Sequence, residues 1–166
     1  MKRRTLAAAE CPVARALDAI GDWWSLLIVR DAFDGIRRFG EFQKNLGIAK
    51  GILSTRLRSL VEHGVLDVVP ASDGSAFSEY ALTDKGRGLF HVVVSLRQWG
   101  EAHLYAPGEA RSELLDRSGR PVARLVLPSR EGGALSFADT TVRKAAEALS
   151  KPRRRPPSGS RSSAGR

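Results

Sequence analysis

The sequence predicts a mostly helical fold carrying one small β-hairpin, and three observations predict it. Apolar residues recur at three- and four-residue spacing through most of positions 12–63. The period drops to two across residues 65–82, around a turn at Asp73-Gly74. A further helical stretch follows at once, with Thr83 placed to cap it.

Each element has its own local reason. Pro12 suits a first helical turn, and Val13, Ala16, Leu17 and Ile20 form a stripe that Gly21 ends. Asp22 is an acceptable cap for a second helix that carries Trp23, Trp24, Leu26, Leu27, Val29 and Phe33 and closes at Gly35. Because it is apolar on most sides, this helix is expected in the centre of the core, with Trp23 and Trp24 as core residues. A short third helix, about 39–46, aligns Phe39, Phe42 and Leu46 before Gly47. The fourth, about 50–63, aligns Leu53, Leu57, Leu60 and Val61 and stops at Gly64. Strands are expected at 65–69 and 77–82, then one long helix from Thr83 to about Tyr105 with Leu89, Val92, Val93, Leu96, Trp99 and His103 near one stripe.

Pro107-Gly108 marks a boundary. Residues 1–10 read as a flexible N-terminus, 11–106 as the principal domain, and 107–150 as a small α+β extension. Strands are expected there at 113–116, 122–127 and 134–137, with a last helix capped by Asp139 or Thr140 and running to Leu149. The tail 151–166 is Pro, Ser, Gly and Arg with no aliphatic residue beyond one alanine, and is expected to be disordered.

Charge separates the same segments. The chain of 166 residues has a formal net charge of +9. Lys2, Arg3, Arg4, Lys151, Arg153, Arg154, Arg155, Arg161 and Arg166 account for all of it, so residues 5–149 are neutral overall. Within that neutral part, Arg37, Arg38, Lys44, Lys50, Arg56 and Arg58 stand against Glu41 alone between positions 37 and 58. That is a local basic patch.

Two short helices joined by a glycine turn at Leu46-Gly47-Ile48, followed by a β-hairpin, are the plan of a winged helix-turn-helix. The second helix of such a pair enters the DNA major groove. On the fourth helix, Gly51, Ser54, Thr55 and Arg58 project opposite the apolar side chains, with Lys50 beside them. Small and basic residues there let the backbone approach base edges. Base readout is therefore expected from Lys50, Gly51, Ser54, Thr55 and Arg58, and phosphate positioning from Arg37, Arg38, Lys44 and Arg56. The hairpin carries no Lys or Arg between residues 59 and 84 but does carry Asp67, Asp73 and Glu79, an acidic wing that phosphates would repel.

Other chemistry leaves little trace. No glycine-rich phosphate loop, HExxH or GxSxG motif is present, His63, His91 and His103 are isolated, and one cysteine excludes paired-cysteine zinc sites. The chain reads as a non-enzyme without cofactor or metal. The apolar stretch near Leu6 is cut off by Glu10, too short for a secretory signal, and no segment is long enough to span a membrane. A cytoplasmic protein is expected.

The motifs Cys11-Pro12, Ile20-Gly21 with Trp24, Arg38-Phe39-x-Glu41-Phe42, Leu53-Ser54-x-Arg56-Leu57-x-x-Leu60, Tyr80-x-Leu82-Thr83-x-x-Gly86 and Trp99 together carry a resemblance. Over about residues 11–105 the chain strongly resembles HxlR-type winged helix-turn-helix transcriptional regulators, which are MarR-like. The resemblance implies a small homodimeric repressor or activator, joined through its terminal helices, that binds a near-palindromic double-stranded operator. The stripe Leu89, Val92, Val93, Leu96 and Trp99 is longer than one small module needs to cover, and with Val13 and Leu17 of the first helix it is expected to form that interface. The resemblance also makes Cys11 a redox-sensing candidate, since some relatives sense oxidants with this cysteine. The chain departs from the family pattern at Ala49, where a serine cap is usual, and in its acidic wing.

Those departures leave a second class open, a winged-helix protein–protein module without strong DNA binding. A third reading is a small-molecule-binding protein; an apolar cavity lined by Trp23, Trp24 and residues 113–137 would favour it, and an effector site can coexist with DNA binding.

Overall fold

The computed structural model describes residues 5–145. Lys2, Arg3 and Arg4, the expected end of the last helix at Leu149 and the tail 151–166 lie outside the described residues. The chain divides into two compact units, the first running to Leu125 and the second beginning at Val126.

In the first unit, α1 (Pro12–Ile20) begins directly after Cys11 with proline in its first turn. α2 (Trp23–Phe33) is capped by Asp22, whose carboxylate accepts from the Ser25 amide at 3.1 Å. α3 (Phe39–Leu46) and α4 (Lys50–Glu62) meet at Gly47, which adopts φ 60°, a left-handed conformation that side-chain-bearing residues seldom take. β1 (Leu66–Pro70) pairs antiparallel with β2 (Ser78–Leu82), Leu66 lying opposite Leu82 and Pro70 opposite Ser78.

Thr83 then acts as the expected cap, accepting from the Gly86 amide at 3.0 Å while its hydroxyl donates to the Gly64 carbonyl at 2.6 Å. The helix it starts is not continuous. α5 (Asp84–Arg87) ends at Gly88, and α6 (Phe90–His103) begins afresh after Leu89. One long helix was expected from Thr83 to Tyr105; the glycines at 86 and 88 interrupt it where it turns off the wing.

The core is small and almost wholly apolar. Ile28, Val29, Phe42, Leu53, Leu57 and Leu60 are fully enclosed, with Val65 and Leu66 sealing the base of the wing. Burying side chains of this kind stabilises by about 1.5–3 kcal/mol each. Asp31 is enclosed beside them, with Arg30 Nη2 at 2.7 Å and Asn45 Nδ2 donating to it at 2.8 Å. That bond ties α3 to α2, because Asn45 stands on one and Asp31 on the other.

α2 departs from the sequence expectation at one residue. Trp24 packs against the core, but Trp23 is 68% exposed, its ring 4.5 Å from that of Trp24. An apolar helix is fully covered only where the chain supplies a cover, and here one side of α2 is left open.

Residues 107–125 are pinned to α6 by hydrogen bonds. The Gln98 amide donates to the Ala123 carbonyl at 3.0 Å and accepts from the Leu125 amide at 2.8 Å, and Arg97 donates to the Ser112 carbonyl at 2.9 Å. The strand expected at 113–116 amounts to a single bridge between Leu115 and Pro121. In the second unit, β3 (Leu127–Pro128) pairs with β4 (Ala134–Leu135), two residues each. A 3-10 turn at Phe137–Asp139 leads into extended backbone at Thr140, so no helix starts at Asp139 or Thr140.

Candidate nucleic-acid interface

The two faces of α4 separate as the spacing of its leucines requires. Leu53, Leu57 and Leu60 are completely buried, whereas Lys50, Gly51, Thr55 and Arg58 are exposed and Ser54 is half-buried. The helix therefore exposes four of the five residues expected to read bases, and Ser54 only in part. Sequence reasoning missed Ile52, 43% exposed beside Gly51; its position on the wheel next to the polar face was the available signal. Ala49 caps α4 with no side-chain bond, as its methyl dictates.

Hydrogen bonding refines what each side chain offers. The Thr55 hydroxyl donates to the Gly51 carbonyl at 2.9 Å, so it presents a methyl group and acceptor lone pairs outward. Beyond its own stretch of helix backbone, nothing lies within 4 Å of where a Gly51 β-carbon would stand, so the helix is bare there.

The basic patch divides sharply once its partners are known. Arg56 Nε lies 3.2 Å from Asp22, across at the N-terminus of α2. Arg37 Nη1 is 3.4 Å from Glu79, and Arg38 reaches Asp73 at 2.5 Å and Glu79 at 3.4 Å. Among the described residues, Lys44, Lys50 and Arg58 have no carboxylate within ion-pairing distance. These three stand on the helix-turn-helix pair itself, one on α3 and two on α4.

The acidic wing is accordingly not a bare negative surface. Glu79 is nearly enclosed between two arginines, and Ser72 donates to its carboxylate at 3.2 Å. The Arg38 guanidinium, helped by the Ser75 amide, holds the Asp73 carboxyl below the ordinary carboxylate range. A second, main-chain tie joins the same elements: the Tyr80 amide donates to the Arg37 carbonyl at 2.8 Å.

The residues expected at a subunit interface split by side. Leu89 and Val93 pack against their own core. Val13 and Leu17 on α1, and Val92, Leu96 and Trp99 on α6, are 42–65% exposed. Between α2 and α6 lies a groove of about 460 Å³ lined by Trp23, Leu26, Leu27, Leu96, Leu104 and Tyr105, among others. Neither Trp24 nor residues 113–137 line it, contrary to the cavity anticipated for a ligand-binding protein. Cys11 is exposed at the head of α1, and Arg15 there donates to the Ala9 carbonyl at 2.5 Å. No helix among the described residues is long and apolar enough to cross a membrane.

Comparison with known proteins matches this arrangement. Over 95 residues the chain is 52% identical to the HTH-type transcriptional regulator Rv3095 of Mycobacterium tuberculosis (strain ATCC 25618 / H37Rv), a match that takes in 57% of this chain and spans only 60% of that protein's length. It is 35% identical over 94 residues to YdeP of Bacillus subtilis (strain 168), another HTH-type transcriptional regulator, covering 56% of this chain and 73% of that one. The crystal structure of PA1607, described as a candidate transcription factor, superposes with a TM-score of 0.80 at 57% identity, over 83% of this chain and 97% of that one. The redox regulator HypR superposes in its oxidised form with a TM-score of 0.52 at 32% identity, over 58% of this chain and all of that one. Residues 19–107, more than half of the chain, match the family described as HxlR-like helix-turn-helix, and the chain belongs to that family.

Proposed function

We propose that the protein regulates transcription by binding a specific double-stranded DNA operator as a homodimer, with α4 in the major groove. The observation that carries this reading is the set of three unpaired cations, Lys44, Lys50 and Arg58, gathered on the helix-turn-helix of a fold that is neutral overall. Lys50, Ser54, Thr55 and Arg58 read base edges, Gly51 admits the DNA closely, and Lys44 contacts phosphate. Arg37 and Arg56 are drawn to their own fold by Glu79 and Asp22, and Arg38 is engaged by Asp73 and Glu79. The exposed apolar residues of α1 and α6 meet their equivalents in a second copy, which sets two recognition helices about 34–36 Å apart, one turn of DNA.

Selection of bound fragments from genomic DNA, followed by footprinting, tests the reading. The expected result is an inverted repeat with half-sites one helical turn apart and affinity that falls steeply with salt. Recovery of no enriched sequence, with weak binding indifferent to salt, would favour the protein–protein module instead.

Two refinements belong to the same reading. Cys11, exposed at the head of α1, is the proposed oxidant sensor, supported by the likeness to HypR, which is a redox regulator. The groove beside Trp23 has a volume in the range of small-molecule sites, which supports an apolar effector there. Quenching of Trp23 emission by an aromatic ligand, with a matching change in operator affinity, checks the second.

A further inference from the structure

We propose that Asp73 is a specificity-determining residue, whose carboxylate masks the Arg38 guanidinium from DNA phosphate and so suppresses sequence-independent binding. The inference rests on the DNA-binding reading above and names a device within it.

The geometry isolates the charge from the scaffold. Arg38 Nη2 stands 2.5 Å from Asp73 Oδ2, with both side chains partly open to water. An ion pair so exposed adds little to folding. The wing does not need it to stay in place, because the Tyr80 amide already binds the Arg37 carbonyl and Arg38 also touches Glu79. Asp73 and Glu79 offset Arg37 and Arg38 charge for charge. Without them, five cations rather than three would face solvent from the α3–α4 region and the segment leading into it.

That difference matters most for the wrong DNA. Binding without sequence preference comes almost wholly from phosphate neutralisation, each contact adding about 0.9 to the slope of log affinity against log salt. A regulator faces a vast excess of wrong sites, so the ratio of specific to non-specific affinity decides occupancy. A carboxylate that takes one arginine off the phosphates lowers non-specific binding and leaves the base readers on α4 untouched.

Asp73→Asn tests this with little disturbance, since the substituted side chain keeps an oxygen that can accept from the Ser75 amide, 3.0 Å from the carboxylate in the parent. The probes are a labelled random-sequence duplex and a duplex recovered in the genomic selection, titrated from 50 to 200 mM salt. Asp73→Asn is expected to bind the random duplex more tightly and with a steeper slope, losing about 3.5-fold more affinity across that range than the parent. The ratio of specific to random affinity should fall. Asp73→Glu should keep the parental slope, and adding Arg38→Gln to Asp73→Asn should restore it. An unchanged slope in Asp73→Asn overturns the mask while the DNA-binding reading stands, and a double variant that stays steep overturns Arg38 as the released cation. If neither the parent nor Asp73→Asn binds any duplex, both the mask and the reading fall.

Discussion

Gly86 lies directly against the carbonyl oxygen of Val65: a β-carbon on Gly86 would stand 2.1 Å from that oxygen and 3.0 Å from Leu82 Cδ2. The contact locks the start of α5 onto the base of the wing, where Thr83 already binds the carbonyls of Gly64 and Val65. No side chain fits there unless the hairpin shifts. Gly86→Ala is therefore expected to destabilise the fold by about 1–3 kcal/mol in denaturant titrations. A loss below a few tenths would mean that the junction adapts freely.

Gly51→Ala should do the opposite to the fold. A β-carbon there meets nothing within 4 Å, and alanine in a helix is favoured over glycine by about 0.5–1 kcal/mol. Thermal stability is expected to rise slightly while operator affinity falls, because the new methyl occupies the space the DNA backbone and bases need. A stabilised variant with full affinity would move the interface off this turn of α4.

Arg58→Ala and Lys44→Ala should fail differently. Losing Arg58 is expected to cost about 1–3 kcal/mol of operator binding and to relax preference at one base pair in each half-site. Losing Lys44 should weaken all sequences alike and flatten the salt slope by about 0.9. Selections repeated on each variant separate the two outcomes; identical sequence preferences in both would reverse the role given to Arg58.

Leu96→Glu places a charge in the middle of the exposed apolar face of α6. A stable dimer is expected for the parent by light scattering at tens of micromolar, and a monomer for the variant, with operator binding lost. A parent that scatters as a monomer removes the two-fold arrangement.

Cys11 is the only cysteine in the sequence, so any disulfide it forms joins two chains or a small thiol. Diamide treatment is expected to give a cross-linked dimer on a non-reducing gel, reversed by dithiothreitol and absent in Cys11→Ser. Cross-linking needs the two Cα atoms within about 7 Å. Loss of operator binding under peroxide in Cys11→Ser, equal to the parent's, would take the cysteine out of any sensing mechanism.

What the sequence made legible was whatever a few adjacent residues decide. Asp22 and Thr83 cap where local chemistry places them, Gly47 turns where two helices meet, and α4 buries the leucines its spacing aligns. The ion pairs were not legible, because they join Arg38 to partners 35 and 41 residues away. A count of charge along the chain thus gave a patch of six cations, of which three are engaged in space. Trp23 misled for a related reason: periodicity reports that a helix is apolar all round, not whether the chain supplies a neighbour for each side.

The clean division of α4 has a consequence for how such a protein can change over generations. Leu53, Leu57 and Leu60 are held by the core, while Lys50, Gly51 and Arg58 support no other part of the chain. Substitutions at the second set break no packing, so duplicated copies can drift toward new target sites without passing through unstable intermediates. Arg56 is the exception on this helix, since its tie to Asp22 makes it answerable to α2 as well. Among paralogues, variation should therefore collect at positions 50, 51, 54, 55 and 58 and spare position 56.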